Sequence, residues 1–312
     1  MKSIPWKPWV GWVVRLGLTI LILWLAMRKV PLAAVPVALK RLNLPLAASS
    51  VALFVLGNLL IEPLRLLAAG RLLRERQPRF TQWLNLYAES RPFYYVLPAA
   101  AGAEGMVWLR LRQFQWGHAS CGFVVFITRL VGVSTWALAA ALAVGSPGSA
   151  ALLAQAPAFM RSPSLWGTMG ALVLVASILA PGWMRRWKHL PVRDQRAKAM
   201  TAVVLLSPAS AMVNVLAVHA GALAAHTSLG LVETAGLLGF FNFAMILPVS
   251  LGGFGLQEAL VLGLGLPLGY PAPALLAFSI VMHFQRLALS ITGLGAFLRP
   301  IPVQTDCSTV EG

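Results

Sequence analysis

Apolar residues in this chain fall into long blocks, not the alternation of a half-buried strand or the narrow stripe of a surface helix. Blocks at about 9–27, 46–72, 119–142, 165–184, 199–225 and 272–298 approach or exceed the roughly 20 residues a helix needs to cross a bilayer. Between them lie shorter elements. Apolar helices are expected at about 80–97 and 230–246, each stopping at a Leu-Pro pair, with short returns at about 103–117 and 255–267. A segment at 30–42 reads as interfacial, and 299–312 as a short tail.

The two stops share a pattern. Pro98 is followed by Gly102 and Gly105, and Pro248 by Gly252 and Gly255, with the same spacing. A proline and glycines break a helix, and in hydrocarbon the freed N–H and C=O groups find no water. Such breaks survive where protein or a wet cavity covers them. Paired breaks in two halves of a membrane chain point to a binding site at a repeat interface. The helices around them also repeat at an offset of about 150 residues, with one extra block, 165–184, in between. An odd number of spans between equal units inverts the second unit. The expected fold is therefore an all-α polytopic membrane protein. It has about six spanning helices, two re-entrant hairpins broken at Pro-Gly, and an inverted-topology repeat. One membrane domain, 1–312, holds repeat A at about 46–142, the linking helix at about 165–184 and repeat B at about 199–298.

Composition agrees. The 312 residues are 58% hydrophobic and only 11% charged, well below the charged quarter of a soluble domain. A net charge of +16 would suggest nucleic acid in a soluble protein. Here the cations cluster in short loops, 71–79 and 185–198, where they signal topology and contact with anionic lipid. No nucleic-acid partner is expected. The charge bias places those loops and the N-terminus in the cytoplasm. Arg28, Lys29, Lys40 and Arg41 then fall on the outer side, against that bias, unless the 30–42 segment lies at headgroups. The first block lacks a small-x-small cleavage site and reads as a retained helix. Cys121 and Cys307 make no disulfide framework, and His118, His219 and His226 show no ligand spacing. Neither a metal nor any other cofactor is expected, and no P-loop is present.

Charged residues inside apolar blocks carry the candidate chemistry, because an ionised side chain at mid-membrane costs roughly 2.5–3.5 kcal/mol. Arg286 shares a helix face with Ser279, His283 and Ser290. That face offers a cationic stripe for a phosphate headgroup, or a structural pair between Arg286 and Glu258. Glu62 and Arg65 stand one turn apart beside Asn58, either as a pair within the helix or as part of a site. Arg129 is a second headgroup ligand or a partner for Glu104. Glu104 and Glu258 follow the two breaks, where a carboxylate caps a return helix or exchanges protons. Ser207, Ser210 and Asn214 read as interhelical glue. Glu89 and Arg91 read as a local pair.

The stretch Pro248, Ser250, Gly252, Gly253, Gly255, Glu258 resembles the "P-x-S-x-G-G-x-G-x-x-E" signature of the lysylphosphatidylglycerol synthase transmembrane, or flippase-like, family. Arg286 matches an arginine on that family's last helix. Pro98, Gly102 and Glu104 resemble its "P-x-x-G-E" element with one extra residue, and Arg129 its "E-R" element with Thr128 in place of Glu. The resemblance implies a bacterial cytoplasmic membrane and handling of phospholipid, polyprenyl-linked or hopanoid lipids. It implies no transferase activity for this chain. The expected function is a lipid translocator that is not an enzyme. The alternatives are a membrane-embedded lipid-modifying enzyme and a non-catalytic scaffold for lipid synthesis.

Overall fold

The computed structural model describes residues 8–28, 31–96, 99–145, 197–245 and 252–297, with single positions between 164 and 175. Among the described residues the chain is helical, without a strand. Helix α1 (Pro8–Met27) leads through a 3-10 turn (Leu32–Ala34) into the short α2 (Val35–Lys40). Then come α3 (Leu44–Gly70), α4 (Phe80–Ser90), α5 (Phe93–Val96), α6 (Ala99–Gln113) and α7 (His118–Gly145). The second half holds α8 (Ala197–Ala224), α9 (Leu231–Ala244), α10 (Leu256–Gly265) and α11 (Ala272–Phe297). Four of these, α3, α7, α8 and α11, are long and apolar enough to cross a membrane. This is the construction of a helical membrane protein. Most of the expected linking helix at 165–184 lies outside the described residues, as do Pro98, Pro248 and Ser250.

Local chemistry sets the helix ends. Asn43 caps α3, its Oδ1 accepting from the Leu46 N–H at 3.2 Å, with Pro45 in the first turn. The helix expected at 80–97 is instead two pieces, parted at Arg91-Pro92. Pro92 has no N–H to donate, and its ring crowds the preceding turn. Pro63 and Pro208, by contrast, stay inside α3 and α8.

The two glycine motifs differ, which corrects the expectation that they match. Gly252, Gly253 and Gly255 have φ of 57°, 83° and 78°, the left-handed region that favours glycine, and they turn the chain into α10. Gly102 and Gly105 lie inside α6, where no positive φ is needed. Gly105 therefore does not correspond to Gly255 in backbone conformation. The helix containing it starts at Ala99, so any break in the first half falls before it.

The long helices pack in a definite pattern. α3 runs along α8, α7 along α9, and α4 along α11. α6 lies against α4 and α7, and α10 lies against α9 and α11. One apolar core surrounds Trp83 and Trp116, whose rings meet edge-on at 5.9 Å. A second surrounds Phe278 between α8, α9, α10 and α11. The outer faces remain apolar. Leu53, Leu56 and Leu60 on α3 and Phe284, Leu287 and Ile291 on α11 are all exposed. Rows of this kind are aggregation-prone in water and suit lipid chains.

Gly293 marks the closest approach of α11 to α4. A Cβ there would lie 2.1 Å from the Ala88 carbonyl oxygen, a backbone atom that cannot swing aside. Gly293→Ala should therefore push the two helices apart and cost about 1–3 kcal/mol. Gly295→Ala, where the space is open, should be silent. Thermal unfolding of the two variants in one detergent checks this. Equal midpoints would mean that the helices separate freely.

Candidate functional site

Between the two halves lies a cavity of about 260 Å³, lined by α3 to α9 and α11. Among the described residues six ionisable side chains of acidic or basic type face it: Glu62, Arg65, Arg91, Glu104, Arg129 and Arg286.

Glu62 and Arg65 pair across one turn of α3 at 2.8 Å, as the sequence allowed. The pair is not isolated. Ser210 on α8 donates to Glu62 Oε1 at 2.5 Å. Gly132 on α7 lies beside the guanidinium, where a Cβ would stand in ordinary contact, 3.5 Å from Arg65 Nη1. Arg65 Nε is buried without an acceptor. A polar chain runs on from this point. Asn214 Nδ2 donates to the Ser210 carbonyl at 2.8 Å, Asn58 Nδ2 to Asn214 Oδ1 at 3.1 Å, and the Tyr87 hydroxyl to Asn58 Oδ1 at 3.3 Å. Ser210 and Asn214 thus do join α8 to α3, and they also line the cavity.

Arg129 and Glu104 meet at 3.4 Å between α7 and α6, both about one-third exposed. The Glu104 partner offered by one reading of Arg129 is present, and the pair lies on the cavity wall. Glu104 sits in the body of α6, so it does not cap that helix.

Arg286 stands apart from every carboxylate among the described residues. Its guanidinium carbon lies 4.3 Å from the centre of the Phe241 ring, a cation–π contact. Its Nη1 is buried with no hydrogen-bond acceptor. Gly253 makes the space, because a Cβ there would reach within 3.3 Å of Nη1.

Two expected pairs are corrected. Glu258 does not hold Arg286. Its Oε1 lies 2.6 Å from His283 Nε2 and accepts from Ser279 Oγ at 3.0 Å, and its Oε2 accepts the Gly255 N–H at 2.7 Å. It caps α10, as one of its two readings had it. Arg91 does not pair with Glu89 either. Glu89 is fully buried against Arg110 at 2.7 Å. Arg91 turns to the cavity, 4.1 Å over the Tyr87 ring, and donates to Ser90 Oγ.

The expected stripe on α11 therefore divides. Ser279 and His283 turn to α10, where Phe254 stacks on the imidazole at 4.3 Å. Arg286 and Ser290 line the cavity. Seven residues of helix separate Ser279 from Arg286, about 10 Å along the axis, so one face meets two neighbours. The structure brings Arg286, Arg129, Glu104, Arg65 and Glu62 together and leaves Glu258 and His283 in a separate cluster.

Sequence reading missed Tyr87, Asn242 and Gln285, which also line the cavity. Gln285 was legible as a polar residue next to Arg286 in an apolar helix. It donates to Ser50 Oγ at 2.6 Å and to the Ala217 carbonyl at 3.1 Å, fixing α11 to α3 and α8. Tyr87 and Arg91 stand four apart, a signal hidden by the nearer Glu89.

No protein-family model matches the chain, and no curated protein matches it in sequence. The resemblance to the flippase-like family rests on the motif residues themselves.

Proposed function

We propose that the protein is an integral membrane lipid translocator of the flippase-like type, moving a lipid with an anionic headgroup between leaflets. The observation that carries this reading is the cavity between the halves, with four arginines on its wall inside an apolar helical body. Arginine suits a lipid phosphate because its planar fork holds two oxygens and stays charged when buried. Two of the four are held ready by carboxylates, Arg65 by Glu62 and Arg129 by Glu104. The other two, Arg91 and Arg286, form no ion pair with a described carboxylate and offer their charge to an arriving headgroup beside those two pairs.

The inverted repeat gains support from the packing. If α3, α4, α6 and α7 correspond to α8, α9, α10 and α11, exchanging the halves turns the α7–α9 contact into the α11–α4 contact. The same exchange turns α6 against α4 and α7 into α10 against α9 and α11, and leaves α3–α8 as itself. The short helices support the re-entrant reading. Helices α4, α6, α9 and α10 have 11, 15, 14 and 10 residues. At 1.5 Å per residue, each falls short of the roughly 30 Å hydrocarbon layer. The loop carrying Arg71, Arg74, Arg76 and Arg79 belongs on the cytoplasmic side of a bacterial inner membrane in this reading.

Reconstitution tests the function. Purified protein in liposomes carrying a panel of labelled lipids should give protein-dependent leaflet exchange of at least one anionic lipid. Exchange no faster than in empty liposomes for the whole panel would overturn the translocator reading and favour a scaffold.

Topology has its own test. Single cysteines at Arg74 and Ser228, in a background without Cys121 and Cys307, should be labelled from opposite sides by an impermeant thiol reagent. Labelling from one side would remove the inversion.

A further inference from the structure

The charges on the cavity wall do not cancel. Among the described residues four arginines face it and two carboxylates, Glu62 and Glu104, each already holding one arginine. Arg91 and Arg286 are left, and both lie on aromatic rings. Burying a guanidinium without a counter-charge is costly, and stacking on a ring offsets only part of that cost.

The chain has little acid with which to balance them. Of its nine acidic residues, six are described. Besides Glu62 and Glu104, Glu75 accepts from Ser120 and the Gly117 N–H, Glu89 holds Arg110, and Glu258 holds His283. Glu233 sits in the first turn of α9. None of these six forms an ion pair with Arg91 or Arg286. Among the described residues the cavity thus keeps about two positive charges, on Arg91, which stacks on Tyr87 and donates to Ser90 Oγ, and on Arg286, which stacks on Phe241. Among the described residues, Arg286 Nη1 has no acceptor in the protein.

Resting on the reading of this cavity as a headgroup site, we infer that its ligand is a phosphomonoester carrying two negative charges, in preference to a phosphodiester. A diester brings one charge and satisfies one of the two arginines. A monoester brings between about 1.5 and 2 charges at neutral pH, on three terminal oxygens. Two guanidinium forks can share those three oxygens, which a diester with two cannot offer them. The lipids that meet this description end in a bare phosphate. Free inorganic phosphate has the same chemistry without the apolar chains.

Binding to the full-length protein in neutral detergent tests this, by thermal stabilisation at pH 7.5. The probes are short-chain phosphatidic acid, short-chain phosphatidylglycerol and inorganic phosphate. Phosphatidic acid should stabilise at concentrations at least tenfold lower than phosphatidylglycerol. Arg91→Gln should remove most of that preference by weakening the monoester about tenfold, with the diester little changed. Arg91→Lys should keep the preference and controls for folding. The monoester should also bind more weakly at pH 5.5, where its second proton returns. The titratable groups facing the site, Glu62, Glu104, Tyr87 and Tyr94, act on both lipids, so the diester series removes their share. Equal affinity for the two lipids would overturn the dianion inference and leave lipid translocation standing. Inorganic phosphate matching phosphatidic acid would uphold the charge argument and overturn the lipid as its source. No stabilisation by any probe would overturn both.

Discussion

Replacing Arg286 by alanine abolishes leaflet exchange of an anionic lipid, while the protein still inserts and purifies as a monodisperse species. The expected loss is at least a hundredfold. The guanidinium forms no ion pair with a described residue, and its Nη1 has no acceptor there, so removing it leaves no buried carboxylate stranded. What it loses inside the protein is one cation–π contact with Phe241, about 0.5–2 kcal/mol. What it loses toward a ligand is a bidentate, charge-assisted contact in a poorly solvated cavity. The effect should therefore fall on transport far more than on stability. Arg286→Lys should keep part of the rate, because the charge remains and the fork does not. An Arg286→Ala protein that exchanges lipid at the original rate would make the residue a packing element.

Glu258→Ala should give the opposite balance. Glu258 is buried and meets three partners: the Gly255 N–H, the Ser279 hydroxyl and the His283 imidazole. Removing it uncaps α10 and strands buried polar groups, at a cost of about 3–5 kcal/mol. In detergent the unfolding midpoint should fall by several degrees or more, and the yield of folded protein with it. Glu258→Gln should lose less, since its amide oxygen can still accept from Gly255. A Glu258→Ala protein as stable as the original, but unable to exchange lipid, would return this carboxylate to the transport machinery.

The two expectations separate residues that share one sequence motif. Glu258 and Arg286 belong to the same resemblance and were expected to meet. In the fold they serve different places, Glu258 the capped turn into α10 and Arg286 the cavity. Spacing along a helix could not tell them apart, because Ser279, His283, Arg286 and Ser290 do lie on one face. Only the neighbours differ along its length. The same holds for Arg91. Sequence proximity offered Glu89, and burial gave Glu89 to Arg110 instead.

Much of the helical framework was legible from the chain. Apolar blocks at bilayer length are a local property, so the bounds of α1, α3, α7, α8 and α11 follow from composition within a few residues. The Gly-Gly-x-Gly turn before α10 was legible too, since left-handed backbone favours glycine wherever it occurs. The first break misled because its glycines stand among the helix formers Ala99, Ala100, Ala101 and Ala103 and are carried inside α6, whereas Gly252 and Gly253 are adjacent and turn the chain. Which charges share a cavity is not a local property. It depends on which helix faces meet, and Arg65, Arg91, Arg129 and Arg286 are tens to hundreds of residues apart in the chain. The sequence by itself determined that this protein is built of membrane-length helices with charges buried among them. The tertiary structure alone decided that Arg91 and Arg286 share a cavity with the Glu62–Arg65 and Glu104–Arg129 pairs and form no ion pair themselves among the described residues, because pairing is set by distance across helices rather than along them.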